Sequence, residues 1–356
     1  MGPYHPALTQ PLGLALRLRG EIIASIAPPT TGYGQRGIAE LVEGASLDDA
    51  LAVIERSCAL AGTTHRIALC QAVEAATETA ISTDARLTRV LFAELERLLA
   101  RLWLLGIVSR ASGQLAPFRD ALEQREALFS TLEEITGQRV YWAIAIPGGA
   151  RADLELAPLA NLLDELAPAL DVWRAATGPN GPLGRVGQAV GVVSAELASA
   201  LELAGLAAAG SGLSDDLRRD APYGGYADLD FEWPEPVEDT GDVAARARRA
   251  VEDLAISLEF ARAAIAALDT SSGGAPAAKL KPPRVQVEAE TRIEGPHGPV
   301  ALALALSPEL TISHLRLTPP GATLLAALPQ LLEGRTVAQA PAILASLDLC
   351  MDCLDQ

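Results

Sequence analysis

From residue 46 to about residue 268 the apolar side chains recur at three- and four-residue intervals, and from Val285 onward they alternate. The first period gives a helix one dry face; the second does the same for a strand. The chain is therefore read as α+β and mainly α: a helical core with small antiparallel β elements at both ends. Between Asp84 and Trp103, Leu87, Leu91, Leu95, Leu98 and Leu102 share one face, while Arg86, Arg89, Glu96 and Arg97 fall elsewhere. Further helices are expected near 117–136, 156–176, 194–208 and 241–268. Ser46 and Asp49 have the spacing of a capping box, with Asp in place of Glu. Upstream, Leu12, Leu14, Leu16 and Leu18 alternate, Arg19-Gly20-Glu21 turns the chain and Ile22–Ile26 returns, which predicts a β-hairpin. Val285, Val287 and Ala289, then 300–306, then Leu310, Ile312, His314 and 315–317 predict a small antiparallel sheet. A last helix is expected over 338–347. One integrated fold follows: hairpin and loop (1–45), helical core (46–269), linker (270–283), then β elements, helix and cysteine-containing tail (284–356).

Charge narrows the function. With 28 Lys and Arg against 45 Asp and Glu, the net charge is −17, which argues against a nucleic-acid binder, since that needs a basic face. At 49% hydrophobic residues the chain folds rather than stays disordered. No apolar run reaches the roughly 18 residues of a membrane span. The opening MGPYHPALTQPLG has neither the basic start nor the apolar stretch of a secretory signal. Four cysteines make no disulfide framework, so a reducing cytosol is expected. Membrane association would go through partners.

The tail holds Cys350-x-x-Cys353, and two thiols so spaced can bind a soft metal ion or exchange as a dithiol. Far upstream stands Arg56-Ser57-Cys58, followed by Ala61 and His65. Taken alone, Cys58 reads as a small buried residue at a helix end and His65 as a packed, hydrogen-bonded histidine. Cys70 sits among Ile67, Ala68, Leu69 and Val73 and reads as core. Arg97, Arg101 and Arg110 are expected on a solvated or partner-facing surface, and Glu288, Glu290 and Glu294 on exposed strand positions. Gly181, Gly184, Gly187 and Gly191 lack the surrounding βαβ unit of a dinucleotide site, so NAD binding by this chain is not inferred.

Taken together these segments resemble the large subunit of membrane-bound, energy-converting nickel–iron hydrogenases and the homologous quinone-site D-type subunit of respiratory complex I (NADH-quinone oxidoreductase). The likeness runs nearly the whole length. It includes Gly2-Pro3-Tyr4-His5-Pro6-Ala7-Leu8, Arg36-Gly37-Ile38, Gln71-Ala72-Val73-Glu74, Glu94-Leu95-Glu96-Arg97, Thr136-Gly137, and Gly148-Gly149 with Arg151. It continues in Asp216-Leu217-Arg218-Arg219-Asp220 with Tyr223 and Tyr226, Gly241-Asp242-Val243 and Ser346-Leu347-Asp348.

In the hydrogenases the motifs R-x-C-x-x-C-x-x-x-H and D-P-C-x-x-C supply four thiolates to nickel and iron. Position by position, the resemblance puts Cys58, Cys350 and Cys353 on three of them as metal ligands, and Ala61 on the fourth. A methyl offers no lone pair, so the implied nickel–iron centre is incomplete; three thiolates with an open position could still take another metal such as zinc. The family's proton-moving Glu falls on Ala39, with Glu40 one residue, about 100°, further round a helix. The quinone-contacting His and Tyr of complex I fall on Thr9 and Ala59. A maturation tail of the hydrogenase kind, cut after His or Arg, is not expected beyond Gln356. Arg56, His65 and Asp348 keep family positions as candidate catalytic residues, Arg56 neutralising charge near the thiolates and His65 hydrogen-bonding them.

The resemblance thus implies the D-type subunit of a complex I-like membrane oxidoreductase. With a small iron–sulfur subunit, which would hold the iron–sulfur clusters, it would form the cavity for terminal electron transfer. A C-type subunit and membrane ion-translocating subunits are the other implied partners. The chain would lie peripherally on the inner, cytoplasmic face of the membrane. An active hydrogenase large subunit with altered ligands, or a non-catalytic structural subunit, are the alternatives.

Overall fold

The computed structural model describes residues 1–234, 240–268 and 277–354. Strands β1 (Leu16–Arg19) and β2 (Ile22–Ile26) form the N-terminal hairpin, with a register shift between Arg17 and Leu18. The helices α1 (Ile38–Val42), α2 (Leu47–Glu55), α3 (Gly62–Ala76), α4 (Thr83–Ala111) and α5 (Leu115–Thr136) follow. The two-residue strands β3 (Ala145–Ile146) and β4 (Gly149–Ala150) pair antiparallel. Short helices come next: α6 (Ala157–Leu166), α7 (Ala169–Thr177), α8 (Pro182–Gly187), α9 (Ala195–Ala200), α10 (Gly205–Ala209) and α11 (Leu217–Asp220). Then come α12 (Val243–Leu268) and the antiparallel sheet β5 (Val287–Gly295), β6 (Gly298–Leu306) and β7 (Ile312–Thr318), ordered β5-β6-β7. The helices α13 (Ala322–Leu332), α14 (Ala340–Ser346) and the single turn α15 (Met351–Leu354) follow the sheet.

Helix α4 is the axis of the fold, packed along α12 and touched by α3, α5 and α14. From Leu87 to Ser109 every residue except Trp103 is buried. An amphipathic stripe marks one dry face, but a helix enclosed by neighbours is dry all round. Arg97 and Arg101 are accordingly buried, each 2% exposed, rather than on a solvated surface; Arg110 alone of that series is exposed. Arg89 and Glu96 are buried too. Charged groups survive burial only when paired or hydrogen-bonded: Arg89 meets Glu74, Arg101 meets Asp253 and Asp348, and Arg97 meets Glu94.

The hairpin and the C-terminal sheet form where alternation predicts them. Leu12 and Leu14 are buried ahead of β1, whereas Leu18 is exposed. Ser46 caps α2 by accepting from the Asp49 N–H, and its own hydroxyl donates to the Asp49 carboxylate. The 156–176 segment is two helices because Pro168 stands at the break, where it has no N–H to donate. The 194–208 segment divides around Glu202 and Gly205, both at positive φ. Helix α13 is hidden from sequence reading behind Pro319-Pro320-Gly321, and Pro329 stands inside it. Glu288 and Glu290 are exposed, but Glu294 is buried near the end of β5. Of the expected linker, residues 270–276 lie outside the described set. Among the described residues no helix is long and apolar enough to cross a membrane.

Candidate functional site

Strands β5 and β6 are joined by a two-residue turn, Pro296-His297, between the register pair Gly295 and Gly298. That turn delivers His297 to the loop after α2, where Cys58 lies. On the other side α14 delivers the tail, with Cys350 just before α15 and Cys353 within it. Residues three apart on a helical turn share a side, so both tail thiols face Cys58.

The Cys58 and Cys350 sulfurs are 3.4 Å apart, and all three sulfurs lie within 4.8 Å of one another. Each is buried, at 0%, 4% and 3% exposure for Cys58, Cys350 and Cys353. Ala61 packs in the same cluster and contributes only its methyl. Cys70, the fourth cysteine, belongs to a different core cluster, and burial pushes its thiol up to about 12.

Nitrogen atoms surround the sulfurs. The Leu60 N–H points to Cys58 Sγ at 3.4 Å, and Gln10 Nε2 lies 3.9 Å from Cys350 Sγ. His65 Nε2 is 3.8 Å from Cys353 Sγ, while its Nδ1 is 2.6 Å from Ser57 Oγ. Gln10 also accepts from the Met351 N–H, so the N-terminal segment grips the tail. Arg36 donates to the Ser57 and Asp352 carbonyls at 2.6 and 2.7 Å, clamping the two cysteine segments together. Arg56 does not fill the role expected of it. Its side chain is exposed, donates to the Ala52 carbonyl and lies over the Tyr141 ring. The guanidinium beside the cysteine segments is that of Arg36.

Asp348 holds a buried charged row. One of its oxygens takes a 2.6 Å bond from Arg101, and the other lies 3.1 Å from His297 Nδ1. The His297 side chain is only 5% exposed; neither ring nitrogen has a well-aligned hydrogen-bond partner among the described residues. Burial opposes charge on this ring, but Asp348 beside it prevails and raises it to about 10. Asp348 is held below the usual carboxylate range, with His297 and Arg101 outweighing its burial. Burial lowers His65. Hydrogen bonds from Cys353 and Cys58 bring the Cys350 thiol down to about 5, whereas burial raises Cys58 and the hydrogen bond to Cys350 raises Cys353. A small cavity of about 20 Å³ adjoins Cys350, lined by Thr9, Gln10, Leu60, His297 and Asp348 among others.

Sequence reasoning thus brought Cys58, Cys350, Cys353, His65 and Asp348 to one place. It missed His297, Gln10 and Arg36 as pocket residues. The signal for His297 was a lone histidine in a Gly-Pro-His-Gly turn between two strand patterns.

Two buried carboxyls nearby also contribute to the pH response. Burial outweighs three hydrogen bonds from Thr63 and Thr64 and raises Glu96 to about 7. Burial, with Asp216 adding repulsion, raises Glu294 to about 8. Both stand above the ordinary 4.5, so the folded chain keeps protons that the unfolded chain has lost. Their contribution is complete below pH 4.5 and fades as pH rises through 7 and 8. Between about pH 5.5 and 8 these two carboxyls lower the melting temperature, against the opposing rise from Cys350, whose thiol is low in the folded chain; a melting series across pH on Glu294→Gln beside the unmodified chain is expected to show the variant losing less stability over that window.

A family model described as "Respiratory-chain NADH dehydrogenase, 49 Kd subunit" matches residues 112–289, and one described as "Nickel-dependent hydrogenase" matches residues 36–100. The D-type subunit of the NADH-quinone oxidoreductase of Bacillus mycoides is 30% identical over 363 residues, covering 100% of this chain and 97% of the relative. A D-type subunit of the same enzyme from Chloroherpeton thalassium is 29% identical over 383 residues, covering 100% and 86%. Among solved structures, a chain of the membrane-bound sulfane sulfur reductase, an archaeal respiratory membrane complex, matches with a TM-score of 0.89. It is 24% identical and covers 100% of this chain and 97% of that one, a likeness of fold.

Proposed function

Because the chain belongs to the family of 49 kDa, D-type subunits of respiratory-chain NADH dehydrogenases, we propose that its cysteine-lined cavity is where a membrane respiratory complex passes electrons to its terminal acceptor. A small iron–sulfur subunit would supply the electrons. A C-type subunit and ion-translocating membrane subunits would complete the assembly, with this chain peripheral on the inner face of the membrane.

The observation that carries this reading is the convergence of Cys58 with Cys350 and Cys353, against a cavity edged by His297 and Asp348. A quinone-class acceptor is the reading taken from the relatives. Thr9 Oγ1 already receives the Trp103 indole N–H at 3.1 Å and Ala59 has no hydroxyl, so Gln10 and His297 would orient the acceptor's polar atom. Asp348 would hold the His297 ring toward it, and Leu60 would help exclude water.

A nickel–iron centre does not fit these residues. It calls for four sulfurs, and Ala61 brings a methyl to the shared cluster. No step is assigned to nickel.

The test is electron transfer through the assembled complex carrying Cys350→Ser. Turnover is expected to fall to background while the complex still assembles. Unchanged turnover would support the structural-subunit reading, and stoichiometric nickel in anaerobically purified complex would support the hydrogenase reading.

A further inference from the structure

We propose that Glu96 carries protons from the surface to the acceptor, taking them up from a second cavity on the far side of Leu60. This rests on the reading that the cavity beside Cys350 receives a quinone-class acceptor.

The need comes from the chemistry. Reducing such an acceptor adds two electrons and two protons, and each carbonyl oxygen becomes a hydroxyl. The electrons come from the iron–sulfur partner. The protons must cross a wall in which Leu12, Leu60, Ile107 and Leu344 have none to give.

The second cavity, of about 20 Å³, is lined by Ala59, Leu60, Thr63, Glu96, Arg125 and Tyr141 among others. It is large enough for one water molecule. Leu60 stands in the wall of both cavities. The second one reaches the surface at Ala59, which is exposed, and at Val140, which is 44% exposed. Glu96, 6% exposed, is its buried acid.

Glu96 is held so that it can exchange a proton. The Thr63 N–H donates to Oε1 at 2.7 Å, and the Thr64 N–H and hydroxyl donate to Oε2 at 2.8 and 2.7 Å. Three donors stabilise the ionised form and burial the neutral one; burial prevails and places the group at about 7. Oε1 meets only an N–H, which cannot accept, so a proton on that oxygen is offered to the cavity. Among the described residues no cation forms a salt bridge with Glu96, so its charge is free to change. The other ionisable groups around it are Cys58 across the wall, Arg125 from α5 and Tyr141 from the segment before β3. Burial raises Cys58 and Tyr141, and burial with Arg139 brings Arg125 down to about 10. Of these groups only Glu96 titrates near neutral pH.

The step balances. Glu96 gives its proton, through water past Leu60, to an oxygen of the reduced acceptor, where an O–H bond forms. The carboxylate left behind takes its replacement from the second cavity. Two rounds complete the hydroquinone.

The experiment uses the assembled complex with a water-soluble quinone as the probe, and turnover is followed against pH. Turnover of the unmodified complex should fall about tenfold per pH unit above about pH 7. Glu96→Gln should lower turnover at pH 6 about 100-fold and remove that fall. Glu96→Asp keeps a carboxyl, so the fall should persist at a shifted pH and with lower turnover. Glu294→Gln removes a buried carboxyl that lines neither cavity, and should keep both turnover and its pH dependence.

An unmodified complex with no such fall would overturn the proposal. So would a Glu96→Gln complex that keeps it, or a fall that Glu294→Gln also removes. If Glu96→Gln does not assemble, a Glu96→Asp complex with the unmodified profile overturns it. Cys350→Ser, run beside these, separates the two readings. Unchanged turnover there would overturn the acceptor site itself, whereas lost turnover there with an intact profile in Glu96→Gln would overturn the proton route alone.

Discussion

Asp253→Ala should cost on the order of 3–5 kcal/mol of folding stability, a large part of the roughly 5–15 kcal/mol by which ordinary domains are stable. Asp253, on α12, takes a 2.7 Å bond from Arg101 and a 2.8 Å bond from Arg218, and Arg97 stands 4.0 Å away. All three guanidiniums are buried on or against α4. They hold the carboxyl well below its usual range despite its burial. Removing it leaves three cations in a dry interior with fewer anions to face. The remaining Glu94 and Asp216 pair with Arg218, and Asp348 pairs with Arg101.

The loss should reach the pocket as well. Arg101 binds Asp348 and the Pro296 carbonyl, so it holds both the tail and the His297 turn. Urea unfolding measures the first effect, as a lower midpoint with an unchanged slope. The second appears as faster labelling of Cys350 by a thiol reagent while the chain is still folded. Asp253→Asn keeps the volume and should lose less. Wild-type stability in Asp253→Ala would mean that the buried charges do not organise the interior.

Gly241→Ala should be nearly as damaging, for a steric reason. Gly241 has φ +63, and a Cβ there would stand 1.8 Å from the Val193 carbonyl oxygen. Neither side can easily yield. The Gly241 N–H donates to the Gly210 carbonyl, its own carbonyl accepts from the Val193 N–H, and Arg246 binds that same carbonyl. The next residue, Asp242, accepts from the Ala245 N–H at the start of α12 and from the Ala189 N–H. Forced overpacking costs about 1–3 kcal/mol and the left-handed backbone roughly another 1–2, so about 2–5 kcal/mol is expected. Gly113 is the control. It has φ +74 with nothing within 4 Å. Gly113→Ala should therefore cost only about 1 kcal/mol. Thermal melts of the two variants side by side separate the clash from the backbone term; equal losses would remove the clash from the account.

What could be read in advance depended on whether a feature was local. Alternation marked the hairpin and the three-stranded sheet because each strand carries its own pattern. Cys58, Cys350 and Cys353 were legible as a set through motif order, since no periodicity links residues 292 apart. The enclosed face of α4 was not legible. Arg97 and Arg101 look like surface residues until Asp253 arrives from a helix far along the chain and makes their burial tolerable. Glu294 misled for the same reason: it sits in a strand of exposed glutamates, yet α11 packs there and the Leu217 N–H binds it. His297 carried no motif, and only the sheet register shows that its turn enters the pocket. Arg56 shows the converse. Its place in a motif pointed to the right neighbourhood, but its side chain turned outward and left the half-buried Arg36 to hold the cysteine segments.

The cysteine pocket draws on two stretches of polypeptide separated by almost the whole helical interior, and a ribosome produces them in order. Gln10, Arg36 and Cys58 emerge early and must wait for Cys350 and Cys353 while everything between them is translated. The helices can condense during that interval, but the sulfur trio cannot close. Any loading of the pocket, by an ion or by a docking partner, is thereby postponed until the second cysteine segment has left the exit tunnel, so the order of synthesis itself guards against premature filling.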